Sequence, residues 1–298
     1  MTASRLTALG SGAILLAAFL WSIDALMRQN LYSLPPAVVV FAEHILGFLV
    51  TLPWLVKYWC KIQKLERRTW YAIFWIAIFG GLLGTLLYTK ALGLVQYISF
   101  SVVVLLQKLQ PVFTLFLAHL ILKERPRRHF YILASIAIAA CYFITFPNAR
   151  FDLVDGGQNL LAGLLAIGAA FSWGSSTVMG KYTLRNLDTR VVTPLRLGLT
   201  AFLTLLVVWF SGNLDVVSQI QPKQFFFLIC IVFSSGTLAL SMYYFGLKHV
   251  PASRSTILEL FWPLSAVTID WVFFQRTLSW SQIAGAIVLL AVIVRLRK

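Results

Sequence analysis

A lysine lies in the middle of a long apolar stretch of this chain. Lys108 is flanked by Gln107 and Gln110 inside the run 97–122. A charge at the centre of a membrane helix costs about 2.5–3.5 kcal/mol on insertion scales, and such residues usually face a cavity or a partner. At 100° per residue, these three side chains share one broad helix face with Pro111. This face is therefore expected to bind a polar solute or a counter-charge rather than lipid.

A carboxylate lies in a second apolar run, 254–274. Glu259 shares a helix face with Trp262 and Pro263. If Lys108 and Glu259 face one cavity, the ammonium can bind a carboxylate and the carboxylate can bind an ammonium, which are the two ends of a zwitterion. The alternative interpretation is that the two side chains neutralise each other as a structural pair.

Aromatic and acidic side chains on other apolar runs are candidates to complete this substrate site. Aromatic walls suit cations and apolar groups. A carboxylate held in an apolar site takes up a proton more readily than one in water, so Glu259 and Glu43 are the candidates for proton coupling. Pro111 and Pro263 are the candidate hinges, because each removes a hydrogen bond from its helix. The expected aromatic lining is Trp21, Tyr88, Trp173, Tyr243 and Tyr244.

Ten apolar runs must position these residues. Hydrophobic residues make up 59% of the 298-residue chain and charged residues only 12%, which is more apolar surface than a soluble domain of this size can bury. About 20 apolar residues are enough to cross a bilayer as a helix. The expected fold class is an all-α polytopic membrane protein with ten transmembrane helices. We number the runs segments 1 to 10: 8–28, 36–57, 70–90, 97–122, 130–147, 159–180, 191–210, 225–246, 254–274 and 280–295.

The basic residues of the chain favour one side of the membrane. With the N-terminus in the cytoplasm, 18 of the 25 Lys and Arg residues fall at cytoplasmic ends of segments and five at the opposite ends, while Lys108 and Arg196 lie within segments. Cytoplasmic loops are enriched in positive charge. The distribution predicts a multi-pass protein of the inner (cytoplasmic) membrane with both termini in the cytoplasm. It also explains the net charge of +15 without nucleic acid as a partner.

The chain contains one unit twice, at a fixed offset of 152 residues. The string AAFLWS at 17–22 returns as AAFSWG at 169–174, and GTL at 84–86 returns as GTL at 236–238. Matches in several helices at one offset, with no gap needed, indicate an internal duplication.

Two five-helix repeats joined by a polar linker follow from this duplication. Because five is odd, the second repeat enters the membrane from the opposite side, so the two repeats are inverted. An inverted pair can exchange an inward-open cavity for an outward-open one, with the solute site near the midplane between the repeats. The expected boundaries are 1–147 for the first repeat, 148–158 for a periplasmic linker and 159–298 for the second repeat.

Several stretches resemble a known family. AAFLWS, AAFSWG, the stretch GLKHVPASRSTILELFWPLSAV at 246–267 with its weaker copy at 94–115, and LKER at 122–125 resemble the paired EamA-type units of the drug/metabolite transporter superfamily, over essentially the whole chain. The most specific piece is VPAS followed by Pro263. The resemblance implies ten helices in two inverted units. It also implies a central cavity lined by the third and fourth helices of each unit, with help from the first, that carries small metabolites, often amino acids.

Three positions matter when the chain is compared with this family. The family's arginine in the second helix of each unit is present as Arg196 but is replaced by His44 in the first unit. The glutamate after the fourth helix is Glu124 in the first unit and is replaced by Arg276 in the second. Lys108 is unusual for the family, which bears on the substrate more than on the fold.

The expected function is secondary transport of a small metabolite, with an amino acid or a related polar or amphipathic organic compound as the leading substrate class. No phosphate-binding loop is present to couple the protein to ATP, so a proton or a counter-substrate is the expected partner. No cofactor or metal is expected, and the protein is expected to be a monomer or a weak dimer in the bilayer. One alternative is an intramembrane enzyme acting on a lipid-like substrate, for which no HExxH or GxSxG motif is present. The other is a receptor or chromophore protein that uses Lys108 as a Schiff base.

Overall fold

The computed structural model describes residues 2–31, 33–93, 106–146, 157–275 and 277–297. All regular structure in these residues is helical. The apolar composition accounts for this, since backbone polar groups in lipid must be bonded within the protein and an α-helix satisfies them within one segment. The helical elements are Ala3–Arg28, Gln29–Leu31, Pro36–Lys57, Trp59–Ile62, Arg67–Trp75, Ile76–Leu83, Gly84–Gly93, Gln110–Leu122, Arg128–Thr145, Gly157–Leu184, Thr189–Phe210, Leu214–Ser218, Pro222–Ile231, Val232–Gly236, Thr237–His249, Ala252–Leu258, Phe261–Phe274 and Trp280–Arg297.

Seven helical spans in the described part of the chain are long and apolar enough to cross a membrane, and they correspond to segments 1, 2, 3, 5, 6, 7 and 8. Segment 10 is apolar but shorter, at Trp280–Leu296. Segment 9 is divided into two helices, and positions 97–105 of segment 4 lie outside the described residues. The structure is thus an all-helical, multi-pass one, and the exact number of ten spans stays a prediction.

Segments 3 and 8 share an irregularity. Each is an α-helix that widens into π-helical turns near its middle, at Ile76–Leu83 in segment 3 and at Val232–Gly236 in segment 8. Adding the repeat offset of 152 to 80–83 gives 232–235, so the two stretches overlap in the repeat. Such turns are rare and occur frequently at functional sites.

The packing of the segments follows the duplication. Segment 1 packs against segments 8 and 9, and its copy, segment 6, packs against segments 3 and 4. Segment 2 packs against its own copy, segment 7, and segment 5 packs against segment 10. Exchanging every segment for its copy leaves this pattern unchanged, which is the behaviour of two halves related by an approximate two-fold axis.

Segment 6 runs in the opposite direction to segment 1. Gly10, near the start of segment 1, packs against Gly246, near the end of segment 8. The Nζ of Lys181, near the end of segment 6, donates hydrogen bonds of 2.8 Å to the carbonyls of Leu247 and Val250. The start of segment 1 and the end of segment 6 therefore lie at the same end of the bundle, which we call the near end; the opposite end is the far end.

The predicted linker falls almost entirely on residues outside the described ranges. Positions 157 and 158 are described, and they begin the helix Gly157–Leu184. Arg276, the residue at the position that matches Glu124, also lies outside the described residues. The repeat boundaries at 147 and 159 therefore stay predictions.

Candidate functional site

Segments 4 and 9 are each interrupted at a charged residue. In segment 4 a turn at Lys108–Leu109 precedes the helix Gln110–Leu122. In segment 9 a turn at Glu259–Leu260 separates Ala252–Leu258 from Phe261–Phe274. Irregular backbone at membrane depth is tolerated only where it is buried in protein or lines a cavity.

Pro111 and Pro263 explain both interruptions. A proline has no N–H, and its ring clashes with the carbonyl four residues earlier, so Pro111 cannot bond Gln107 and Pro263 cannot bond Glu259. The chain makes tighter turns instead, as where the N–H of Trp262 donates to the Glu259 carbonyl at 3.0 Å. The two residues predicted as hinges therefore lie directly beside the breaks.

The Glu259 carboxylate is the centre of a hydrogen-bonded network. Its Oε1 accepts from the Tyr243 hydroxyl at 2.7 Å, and its Oε2 accepts from the Gln110 amide at 2.9 Å. Gln107 donates to the Gln110 side chain at 3.2 Å, and the Tyr243 hydroxyl lies 2.8 Å from Thr177 Oγ1. Residues of segments 4, 6, 8 and 9 thus meet around one carboxylate.

Lys108 is buried without a carboxylate in contact. The residue is 4% exposed, and its Nζ lies 3.5 Å from the centroid of the Trp262 ring. In the part of the chain that the structure describes, the ion pairs within 4 Å involve Arg28, not Lys108. A desolvated cation–π contact is worth about 2 kcal/mol, whereas an uncompensated buried charge costs several kcal/mol, so the Trp262 ring offsets only part of the cost of burying the ammonium. The contacts therefore do not support a direct ion pair between Lys108 and Glu259.

The predicted aromatic residues divide into groups, and two tryptophan–tyrosine pairs stand out. Trp21 packs on Tyr243 with ring centroids 5.3 Å apart, which brings segment 1 against the Glu259 network. Trp173 packs on Tyr88 at 5.4 Å and forms a second pair, between segments 6 and 3. Each pair joins the first helix of one repeat to the third helix of the other, so the two pairs are approximate copies.

Tyr244 faces a different partner. Its hydroxyl accepts a hydrogen bond of 2.8 Å from Nη1 of Arg196, and the guanidinium carbon lies 5.5 Å from the centroid of the tyrosine ring. The arginine expected in the second helix of the unit thus contacts the neighbour of Tyr243. His44, at the matching position of the first repeat, instead lies 2.8 Å from the carbonyl oxygen of Val40 in its own helix.

Glu43 lies in a separate ionic cluster toward the far end. Its Oε1 is 2.9 Å from Nη1 of Arg28, whose Nε is 2.6 Å from Asp24 Oδ2. The Oε1 atom accepts no well-aligned hydrogen bond from the described residues, so this contact is ionic in character. Ser235, in the π-helical stretch of segment 8, donates to Asp24 Oδ1 at 2.6 Å. We call these residues the far-end cluster: Asp24, Arg28, Glu43 and Ser235.

Comparison with known proteins decides which family these features belong to. The model of the EamA-like transporter family matches residues 8–146 and, separately, residues 160–296. The chain belongs to the EamA-like transporter family. Each matched stretch contains one of the two copies of the first-helix motif, AAFLWS or AAFSWG.

A named relative of this EamA-like transporter matches it over nearly its whole length. The riboflavin transporter ImpX of Fusobacterium nucleatum subsp. nucleatum is 35% identical over 293 residues, which are 97% of each chain. The uncharacterized transporter YwfM of Bacillus subtilis is 27% identical over 177 residues, which are 58% of this chain and 56% of the relative. A solved crystal structure with 18% identity superposes with a TM-score of 0.77 over 98% of this chain and 96% of its own, so the fold is shared. The chain is a multi-pass membrane transporter.

A glutamate at the near end of this EamA-like transporter connects segments 4 and 9. The Glu124 carboxylate accepts hydrogen bonds from the backbone N–H of Ala252 at 2.9 Å and of Ser253 at 3.0 Å. The Ser253 hydroxyl donates to the same carboxylate at 2.7 Å. The carboxylate therefore satisfies the free N–H groups at the start of the helix Ala252–Leu258.

Thr177 belongs to the Glu259 network, and the sequence does not mark it. It lies on segment 6 and reaches the Glu259 network through Tyr243 on segment 8. A single threonine in an apolar helix forms no pattern that predicts a contact. The contact with Tyr243 is seen only in the structure, where segments 6 and 8 pack together. Ser255 and Thr256 do carry a signal, because they share a helix face with Glu259.

Proposed function

We propose that this protein is a secondary transporter that moves its substrate by alternating access, without ATP. The observation that carries the proposal is the pair of interrupted helices. Segments 4 and 9 are copies of each other, and they break at Lys108 and at Glu259. Transporters built from inverted repeats place their substrate sites at discontinuous helices near the repeat interface.

The architecture we propose is ten spans in two inverted five-helix repeats, with both termini in the cytoplasm and the protein in the cytoplasmic membrane. The opposite directions of segments 1 and 6 support the inversion. Lys57, Lys123 and Lys181 lie at the near end of their segments. Cytoplasmic loops are enriched in basic residues, so we assign the near end to the cytoplasm. The oligomeric state, monomer or weak dimer, stays a prediction.

The proposed binding site surrounds the two helix breaks. Tyr243 and Gln110 hold the Glu259 carboxylate, Lys108 covers the Trp262 ring, and Trp21 packs from segment 1. The pair of Trp173 and Tyr88 extends the proposed lining to segments 6 and 3. Tyr244, which contacts Arg196, extends it toward segment 7. The proposed substrate-binding residues are Trp21, Tyr88, Gln107, Lys108, Gln110, Trp173, Tyr243, Tyr244, Glu259 and Trp262, with Pro111 and Pro263 as hinges.

The substrate that we propose is riboflavin or a closely related flavin. A relative with 35% identity over 97% of the chain is named a riboflavin transporter. Indole and phenol rings interleaved with amide and hydroxyl groups suit a flat heterocycle with polar edges. Both Glu259 oxygens already accept hydrogen bonds, which leaves this carboxylate less available to an amino acid's ammonium. The names of the relatives do not support an amino acid, the substrate class that the sequence predicts. Amino acids are therefore added as competing solutes in the transport experiment.

Counterflow in proteoliposomes tests this proposal. Purified protein is reconstituted into liposomes loaded with unlabelled riboflavin, and the uptake of labelled riboflavin is compared with that of protein-free liposomes. Uptake that excess flavins inhibit and amino acids do not inhibit supports the proposal. Absence of riboflavin uptake, or uptake of a labelled amino acid in its place, overturns the substrate assignment.

Proton coupling is proposed for Glu259 rather than for Glu43. Glu259 belongs to the network at the helix breaks, whereas Glu43 is engaged by Arg28. A proton added to Glu259 would remove an acceptor from Tyr243 or Gln110 and so link protonation to the contacts between segments. The test is riboflavin accumulation under an imposed pH gradient: collapse of accumulation by a protonophore supports coupling, and indifference to the protonophore indicates exchange or facilitated transport.

A further inference from the structure

Three buried polar atoms beside the helix breaks have no hydrogen-bond partner. They are the Gln107 Oε1, Ser255 Oγ and Thr256 Oγ1 atoms, and this holds for the described part of the chain. Their residues are 7%, 0% and 1% exposed, respectively. A buried polar atom without a hydrogen bond costs free energy, so such atoms are rare in native proteins and each one needs a physical cause.

The position of these atoms connects them to the proposed site. Gln107 directly precedes Lys108, and its amide nitrogen is already used in the bond to Gln110, which leaves the carbonyl oxygen as a free acceptor. Ser255 lies four residues before Glu259, one helical turn earlier on the same face. Thr256 lies three residues before Glu259. The helix Ala252–Leu258 that carries both hydroxyls packs against Gln110–Leu122 of segment 4.

Lys108 adds a strong donor to this region. Its ammonium lies over the Trp262 ring, and the described residues offer it no carboxylate within 4 Å. The break region therefore offers one acceptor, the Gln107 carbonyl, together with donors from an ammonium and two hydroxyls. It also offers a flat aromatic surface in Trp262.

We propose that this set of residues recognises an imide edge, the sequence carbonyl, N–H, carbonyl, on a flat heterocyclic substrate. The inference rests on the proposed function, because the pyrimidinedione ring of a flavin carries such an edge. The substrate N–H donates to Gln107 Oε1. One flanking carbonyl accepts from the Lys108 ammonium and the other from the hydroxyl of Ser255 or Thr256, while the ring stacks on Trp262.

Substrate binding then moves Lys108. The ammonium covers the ring face that a stacked heterocycle would use, at 3.5 Å from the centroid. The substrate exchanges this cation–π contact for ring stacking, and the displaced ammonium gains a carbonyl acceptor. Lys108 is in this way a specificity residue. A ring without the carbonyl would displace the ammonium from Trp262 but would offer it no hydrogen-bond acceptor.

A metal cation is a poorer occupant of this region than an imide. Gln107, Ser255 and Thr256 supply neutral oxygen atoms that suit a cation such as Na⁺. The neighbouring Lys108 ammonium would repel it, since like charges at short range in a low-dielectric site oppose each other strongly. A strict requirement of riboflavin transport for sodium would therefore indicate a cation site rather than an imide site.

The test compares riboflavin with riboflavin methylated at the imide nitrogen in the wild-type protein. Affinity is read from quenching of flavin fluorescence on titration with the purified protein, and transport from competition in counterflow. A site built to hydrogen-bond an N–H discriminates strongly against an analogue that lacks it, so we expect the methylated compound to bind at least about tenfold more weakly. Equal binding of both compounds overturns the imide assignment while the proposed function stands.

Variants at the three unpaired atoms sharpen the result. In Gln107→Ala the difference between riboflavin and its methylated analogue should shrink toward onefold, because a double-mutant cycle isolates the paired interaction. Ser255→Ala and Thr256→Val should each weaken riboflavin binding, while the matched control Ser265→Ala, whose hydroxyl bonds the Phe261 carbonyl within its own helix, should not. Discrimination that survives in Gln107→Ala overturns the role of Gln107, and a strict sodium requirement overturns the imide in favour of a cation site. If the wild-type protein neither binds nor carries riboflavin, the proposed function fails and this inference fails with it.

Discussion

The Lys108 ammonium lies over the Trp262 indole, 3.5 Å from the ring centroid, and so joins segments 4 and 9 beside both of their breaks. The repeat offset of 152 pairs Trp262 with Gln110 and Lys108 with Leu260. The contact therefore has no symmetric counterpart. The two repeats share a scaffold, but the chemistry at the breaks is asymmetric, with the cation on one side and the carboxylate on the other.

Removing the indole should weaken substrate binding. Trp262→Leu eliminates both the cation–π contact and the stacking surface, which are worth about 1–2 kcal/mol together, so we expect KM for riboflavin to rise about tenfold. Trp262→Phe retains a ring and should recover most of the loss. The control is Trp280→Leu, since Trp280 is 85% exposed. An unchanged KM in Trp262→Leu would remove this residue from the site.

Glu43 and Glu259 should respond differently to neutralisation. Glu43→Gln removes one partner of Arg28, which keeps its contact with Asp24, so we expect a loss of stability of about 1–2 kcal/mol. Thermal unfolding of the purified protein measures this. The dependence of transport on the pH gradient should persist in Glu43→Gln. Its disappearance would make Glu43 the coupling carboxylate and contradict the assignment to Glu259.

The contact between segments 3 and 6 should be intolerant of added volume at Gly84. A β-carbon there would overlap the indole nitrogen of Trp173 and lie 2.8 Å from the carbonyl oxygen of Phe79. Overpacking of this kind costs about 1–3 kcal/mol, so Gly84→Ala should unfold at a lower temperature than the wild type. Gly12→Ala is the matched control, since a β-carbon at that position meets no atom from another segment within 4 Å among the described residues. Equal melting temperatures for the two variants would show that segments 3 and 6 do not pack as described.

Asp188 should stabilise the start of Thr189–Phe210 in a pH-dependent manner. Partial burial acts to raise the pKa of Asp188, but the hydrogen bond from the Arg190 N–H and the charges of Lys248 and Arg190 outweigh it and hold the pKa below its usual value. A depressed pKa in the folded state means that the stabilisation is complete above the unfolded pKa of about 3.9 and is lost as the pH falls through the folded pKa. Asp188→Ala should therefore cost about 1 kcal/mol at pH 7 and nothing once the pH is below the folded pKa. A cost that stays constant down to low pH would contradict the capping role.

Much of the scaffold follows from the sequence because its causes are local or periodic. A run of 20 apolar residues defines a span wherever it occurs, and a constant offset defines a repeat without knowledge of any contact. Proline acts on the carbonyl four residues before it, so Pro111 and Pro263 mark the helix breaks directly. The spacing of Gln110 and Glu259 from these prolines places both side chains at the breaks.

The pairing of side chains across helices does not follow from the sequence, because it depends on how each helix is rotated about its axis. Asp24 and Arg28 resemble a surface pair in sequence, yet in the structure they join Glu43 and Ser235 of other segments. Lys108 and Glu259 have opposite charges, yet the glutamate is engaged by Tyr243 and Gln110. Tryptophans at matched positions pack on tyrosines at unmatched ones. Rotations of a few tens of degrees, which periodicity does not determine, decide each of these outcomes.

Riboflavin counterflow in proteoliposomes, with three variants compared at equal reconstituted amounts, tests most directly whether the substrate binds at the two helix breaks. Lys108→Ala and Glu259→Gln change the two residues at the helix breaks, and Thr268→Ala changes an exposed residue of segment 9 whose hydroxyl bonds the Leu264 carbonyl. We expect the first two variants to insert and purify normally but not to exchange riboflavin, while Thr268→Ala should match the wild type. Normal exchange by both Lys108→Ala and Glu259→Gln would contradict the placement of the site at the two breaks.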